Sequence, residues 1–174
     1  MKRMTKLRRA ALPTVALLAM ALAPAWVLAD GGGGGGSSGS GGSRSSAADP
    51  QYNAAVSAIK AQDYAKAIDL LQGYVARSPE DANGENWLAY SYRKSGQLDA
   101  AFEHYDKALK IDPKHLGAHE YMGEAYLMVG NLAKAEEHLK ILDKLCFLPC
   151  EQFTDLKEAV AAYKVNKGIA SSTK

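Results

Sequence analysis

The sequence has little of what most catalytic sites are built from. It holds two cysteines and four histidines in 174 residues. No serine, histidine and aspartate group as a nucleophilic triad, and no two carboxylates pair for acid–base work. The glycine-rich run at 31–46 is low in complexity and precedes no strand, so it is not a phosphate-cradling loop. These gaps argue against an enzyme, and no cofactor is expected. A dominant charge is missing too. The formal charge is +2, but five of the 21 basic residues lie in the first nine positions. The remainder holds sixteen basic and nineteen acidic residues, a net of −3 with no basic block. That removes the electrostatic footprint of a nucleic-acid partner.

Long apolar runs are confined to the start. A basic stretch, Met1 to Arg9, precedes the largely apolar 10–25 and the small-residue pattern Val27-Leu28-Ala29. This reads as a secretory signal peptide over 1–29, cut after Ala29, in preference to an uncleaved anchor. Pro13 and Pro24 argue against a spanning helix, and the residue after the cut is Asp30, which gives no lipoprotein anchor. The leader has a bacterial form. It places the mature chain in the periplasm or outside the cell, with no membrane insertion after cleavage. Residues 30–47 are nearly all glycine and serine and read as a flexible linker.

What the rest of the chain does have is a period. A shift of 34 residues superposes 48–81, 82–115 and 116–149. Ala67, Ala101 and Ala135 align, as do Ala55, Ala89 and Gly123, and Gln62-Asp63, Gly96-Gln97 and Gly130-Asn131. In the middle copy, Leu88, Ala89 and Tyr92 precede a turn at Ser95-Gly96-Gln97. Leu98, Ala101, Phe102, Tyr105, Ala108 and Leu109 follow at helical spacing, and Asp112-Pro113 stops the second helix. The small residues Ala89 and Ala101 fall where two antiparallel helices approach closely, with Tyr92 and Tyr105 filling the space beside them. Helices are predicted over 50–61, 64–76, 82–95, 98–110, 116–129 and 132–145. A seventh, amphipathic through Phe153, Leu156, Val160 and Tyr163, covers 150–166 as a cap with a polar outer face. Residues 167–174 form a frayed tail.

A 34-residue helix-turn-helix period with these alanines resembles the tetratricopeptide repeat (TPR) family. The resemblance covers about 100 residues. It implies an all-α, right-handed superhelix of three repeats, closed by the C-terminal capping helix. The chain departs from the family pattern at Trp87, two positions late, at Tyr74 and Leu142, where a small residue is usual, and at Phe147, in place of the closing proline.

The resemblance also implies that the first helix of each repeat lines a concave groove for a protein or peptide. In the middle repeat its inward residues are Asn83, Asn86, Tyr90, Arg93 and Lys94; in the third they are Gly117, Glu120, Glu124, Leu127 and Met128. In the first they are Asp49, Tyr52, Val56, Ile59 and Lys60. Arg93 suits a ligand carboxylate or carbonyl, Tyr90 supplies area with a hydroxyl, and Glu120 and Glu124 suit a basic segment. Val56 and Tyr90 break the set of the family's carboxylate-clamp subgroup, so a chaperone-tail ligand is not implied. A non-enzymatic periplasmic adaptor is the expectation.

Cys146 and Cys150 stand four apart where the third repeat meets the cap. In an exported chain a local disulfide is favoured. Two buried thiols, or a redox or soft-metal pair joined by His138, are the other readings, and the last would make the protein a periplasmic redox or metal-handling accessory. His115 and His119 read as solvated. His104 and His138 share one repeat position.

Overall fold

A computed structural model describes residue 46 and residues 49–148 and 150–169. The expected leader, most of the linker and the last five residues lie outside the described residues. The described chain forms seven α-helices: α1 (Pro50–Lys60), α2 (Tyr64–Arg77), α3 (Ala82–Lys94), α4 (Leu98–Ile111), α5 (Leu116–Met128), α6 (Leu132–Leu145) and α7 (Glu151–Asn166). Every bound falls within a residue of the one predicted from the period. The pairs α1/α2, α3/α4 and α5/α6 pack as hairpins, and α2 and α4 each pack on the first helix of the next repeat. α1, α3 and α5 touch in succession, so the first helices form one wall, and α7 packs against α5 and α6.

Five of the seven helix starts are capped by a polar side chain. Asp49 accepts from the amides of Gln51 at 2.8 Å and Tyr52 at 3.1 Å, ahead of Pro50 at the first helical position. Asp63, Asp81 and Asn131 cap α2, α3 and α6 in the same way, and His115 Nδ1 accepts from Ala118 N at 3.0 Å. The turn inside each hairpin needs one left-handed residue. Gly96 (φ 78°) and Gly130 (φ 79°) supply it without a Cβ penalty; the first repeat puts Gln62 there (φ 60°), at about 1–2 kcal/mol.

The core explains where the repeat pattern is broken. Ala67, Ala101 and Ala135 are fully buried at the helix crossings, as are Ala55 and Ala89. At the position shared by Tyr74, Ala108 and Leu142 all three side chains are buried, although their sizes differ widely. The large ones are accommodated by their neighbours. A Cβ on Gly84 would stand 2.7 Å from Tyr74 Cε1, so the ring occupies the space of the missing methyl. Gly123 replaces the expected alanine for a similar reason: a Cβ there would meet Leu156 Cδ2 of the cap at 2.6 Å. Leu156 and Val160 are the buried residues of α7, and they close a core with Ala135 and Leu142.

Each hairpin is also tied across its two helices by one polar contact at the same repeat position. Gln51 Nε2 donates to the Leu70 carbonyl at 2.6 Å. One period later Glu85 Oε2 meets His104 Nδ1 at 2.6 Å, and one more period on His119 Nδ1 meets His138 Nδ1 at 3.0 Å. His119 Nε2 donates to the Pro113 carbonyl, which leaves its Nδ1 as the acceptor for His138. Burial, with the His119 ring beside it, lowers the His138 imidazole to about 4, so that ring is neutral near pH 7. The expectation of solvated histidines is therefore corrected. His119 is buried, and His115 is half-buried as a helix cap. A hairpin interior offers these rings a partner at a fixed repeat distance, which solvent exposure at the boundary did not take into account.

Candidate functional site

The wall of first helices carries a row of aromatic rings. Tyr90 of α3 is central. Its ring centroid lies 4.9 Å from that of Tyr121 on α5, 5.5 Å from Trp87 and 6.3 Å from Tyr64, which joins the row from the start of α2. Trp87 reaches Tyr121 at 6.2 Å, so the rings bridge the repeat boundary. All four side chains are half-buried. Burial, and Tyr64 next, raise the Tyr90 hydroxyl above its ordinary value, so it stays a neutral donor and acceptor.

The structure separates the residues expected in the groove into distinct roles. Tyr90 is half-buried and Lys94 exposed, with Lys94 Nζ 6.0 Å from the Tyr90 ring centre. Asn83 is exposed, but its Oδ1 lies 3.1 Å from His115 Nε2, which ties the start of α3 to the cap of α5. Arg93 is 7% exposed. Its guanidinium meets Glu124 Oε2 at 2.5 Å and stacks near Tyr90 and Tyr121, at 5.2 and 5.5 Å from their centres. The two charges expected to meet a ligand separately thus meet each other. Adjacent first helices pack closely enough for α3 and α5 side chains to pair, and pairing relieves the desolvation of both. Asn86 and Glu120 are buried, at 3% and 6%. In the first repeat, Asp49 is spent on its cap and a 3.5 Å contact with Arg77, and Tyr52 packs on Tyr74 at 5.1 Å. Both were expected to point inward. Met128, at the expected apolar edge, is 55% exposed.

Trp87 and Tyr121 are the groove residues that the sequence reading missed. They stand 34 apart, so the period itself placed an aromatic at the same point of two successive first helices.

At the other end of the third repeat, Cys146 and Cys150 are bonded, with Cα atoms 5.8 Å apart. Cys146 borders a cavity of about 320 Å³ with Asp143, Phe147 and Phe153, and Phe147 is fully exposed. His138, considered as a third ligand for this pair, is occupied by His119 instead.

A family model described as anaphase-promoting complex, cyclosome, subunit 3 matches residues 60–141. A TPR repeat-containing thioredoxin of Arabidopsis thaliana, TTL4, is 30% identical over 77 residues, 44% of this chain and 11% of its own. The chain spans 2% and 11% of the lengths of the curated relatives that it matches. Among solved structures, the Yersinia enterocolitica type III secretion chaperone SycD, in complex with a peptide of the translocator YopD, is 23% identical with a TM-score of 0.62. The match covers 71% of this chain and 97% of that one. The TPR2B domain of yeast Sti1, in a complex with pHsp70, gives a TM-score of 0.62 at 19% identity, covering 67% and 94%. Period, helix packing and likeness agree, and the chain has the all-α tetratricopeptide-repeat fold.

Proposed function

We propose that this protein is a non-enzymatic adaptor that holds a segment of a partner protein against the wall of its first helices. The observation that carries this reading is the half-buried row Tyr64, Trp87, Tyr90 and Tyr121. Aromatic rings with polar tips give broad contact area at low entropic cost, and they concentrate at the anchors of protein interfaces. The tetratricopeptide structures that resemble this chain include complexes with a peptide or a protein, in keeping with the same use of the groove. Trp26 lies in the expected leader, so Trp87 is the single tryptophan of the processed chain and reports on the groove. Peptides selected from a displayed random library should change Trp87 emission on binding. Tyr90→Ala should weaken them at least tenfold, about 1.4 kcal/mol, while helicity by circular dichroism is unchanged. Equal affinity for the parent and Tyr90→Ala would move the binding surface elsewhere.

The adaptor acts outside the cytoplasm on this reading, in the periplasm or beyond. The leader supports that location, and the paired Cys146 and Cys150 suit an oxidising compartment. N-terminal sequencing of the protein recovered from the cell envelope should begin at Asp30. A chain that keeps Met1 would refute export by cleavage.

A further inference from the structure

Between α3, α5 and α7 the groove wall contains a buried acceptor that no group among the described residues satisfies. Asn86 is 3% exposed, and its Oδ1 has no hydrogen-bond partner among the described residues. Glu120 is 6% exposed and has neither a hydrogen bond nor an ion pair among the described residues. The two border one strip. They occupy the same repeat position on successive helices, and Asn86 Nδ2 lies 3.5 Å from where a Cβ on Gly117 would stand, one turn before Glu120 on the same face of α5. A Cβ on Gly117 would also touch the His115 ring, 3.6 Å from its Cε1.

The charges around the strip are unbalanced. Glu124 on α5 and Asp155 and Glu151 on α7 all act on Glu120 as anions. Arg93 on α3 acts the other way, but its guanidinium is engaged by Glu124. A buried amide oxygen without a partner is costly, and such groups are normally satisfied. One orphan acceptor beside Glu120, in a field of carboxylates, asks for a ligand that carries several N–H donors and a positive charge. A ligand carboxylate or phosphate would be repelled. A bare metal ion fits poorly, since no three carboxylate or imidazole groups among the described residues gather closely enough to hold one.

We infer that this strip is a subsite for one basic side chain, a lysine or an arginine, of the peptide held in the groove. The inference rests on the adaptor reading and adds the chemistry of its ligand. The ammonium or guanidinium donates to Glu120 and to the Asn86 oxygen, while the hydrocarbon stem lies along the aromatic row toward Tyr121. A basic side chain thus supplies the donors and the charge that the fold withholds.

Glu120 also gives the site a signature. Burial, and the Glu124 carboxylate next, raise its carboxyl to about 8, so the free protein holds a proton there at neutral pH. Binding of a cation favours the ionised carboxylate and expels that proton. The affinity for a basic peptide therefore rises as the pH is taken up toward about 8.

The test uses the full chain and peptides selected from a displayed random library. Lysine or arginine should be enriched at one position relative to the aromatic contacts. Acetylating that lysine should weaken binding at least tenfold. Glu120→Gln, which matches the neutral side chain in shape, should fold normally, lose the same factor toward the basic peptide, and bind the acetylated peptide as well as the parent does. Titrations in buffers of different ionisation enthalpy should show proton release for the parent and none for Glu120→Gln. Peptides that need Tyr90 but show no basic preference, or bind Glu120→Gln with unchanged affinity, would overturn the subsite and leave the adaptor reading standing. Peptides indifferent to Tyr90→Ala would overturn both.

Discussion

Tyr74→Ala should lower the stability of the chain by about 4 kcal/mol, Gly84→Ala by about 2 kcal/mol, and the two together by less than Tyr74→Ala alone. Tyr74 is 1% exposed, packs on Tyr52 and donates its hydroxyl to Asp81, the residue that caps α3. Truncating it empties a ring-sized volume between the first two repeats. Gly84 faces that ring. A methyl there would stand 2.7 and 2.9 Å from ring carbons and 3.3 Å from Val75 Cγ1, in a region where neither helix can retreat without opening the core. With the ring gone, the same methyl enters vacated space and adds the helix preference of alanine over glycine, about 1 kcal/mol. The pair then resembles the next repeat boundary, where Ala108 and Ala118 hold the equivalent positions and are both fully buried. Urea unfolding of the parent, both single variants and the double variant gives the coupling directly. Additivity within about 0.5 kcal/mol would mean that ring and glycine are not matched to each other.

That pair also marks how far the fold was legible in the sequence. The alanines at 67, 101 and 135 recur because three hairpins need the same close crossing, and a strict need repeats with a strict period. Tyr74 looked like a departure because its compensation lies in the next repeat, ten residues on. Gly123 follows the same logic, since Leu156 of the cap fills the place of its methyl. The groove was legible in a different way. Resemblance suggested residues for the inner wall, of which Asp49 and Tyr52 serve elsewhere, and Trp87 with Tyr121 could have been added from the period alone. It did not tell which of them face each other, because that depends on how α3 sits against α5. Arg93 and Glu124 are 31 residues apart, short of one period, and only the packed helices bring them within 2.5 Å. The polar ties Gln51–Leu70, Glu85–His104 and His119–His138 were hidden for a chemical reason. The geometry repeats, but an amide, a carboxylate and an imidazole fill it in turn, so no residue type recurs at the first position.

Arg93→Ala should cost about 3 kcal/mol, near the lower end for breaking a buried ion pair, because the Glu124 side chain keeps 27% of its surface exposed. The substitution leaves the Glu124 carboxylate without its cation, beside Glu120, and removes the stacked guanidinium from Tyr90 and Tyr121. Arg93→Lys keeps the charge but loses the flat contact with both rings, and should lie between parent and alanine variant. Replacing both partners, Arg93→Met with Glu124→Met, removes the desolvation of two charges at once. It should return the stability to within about 1 kcal/mol of the parent. Added salt should change the Arg93→Ala cost little, since a pair this enclosed is weakly screened. The series separates the structural role of Arg93 from a role in ligand contact. Any loss of peptide binding in Arg93→Ala that the double methionine variant recovers comes from the collapsed wall and not from a missing ligand bond. If Arg93→Ala instead costs under about 0.5 kcal/mol, as an exposed pair does, the guanidinium is solvated in the free protein. It would then be available to a peptide carboxylate.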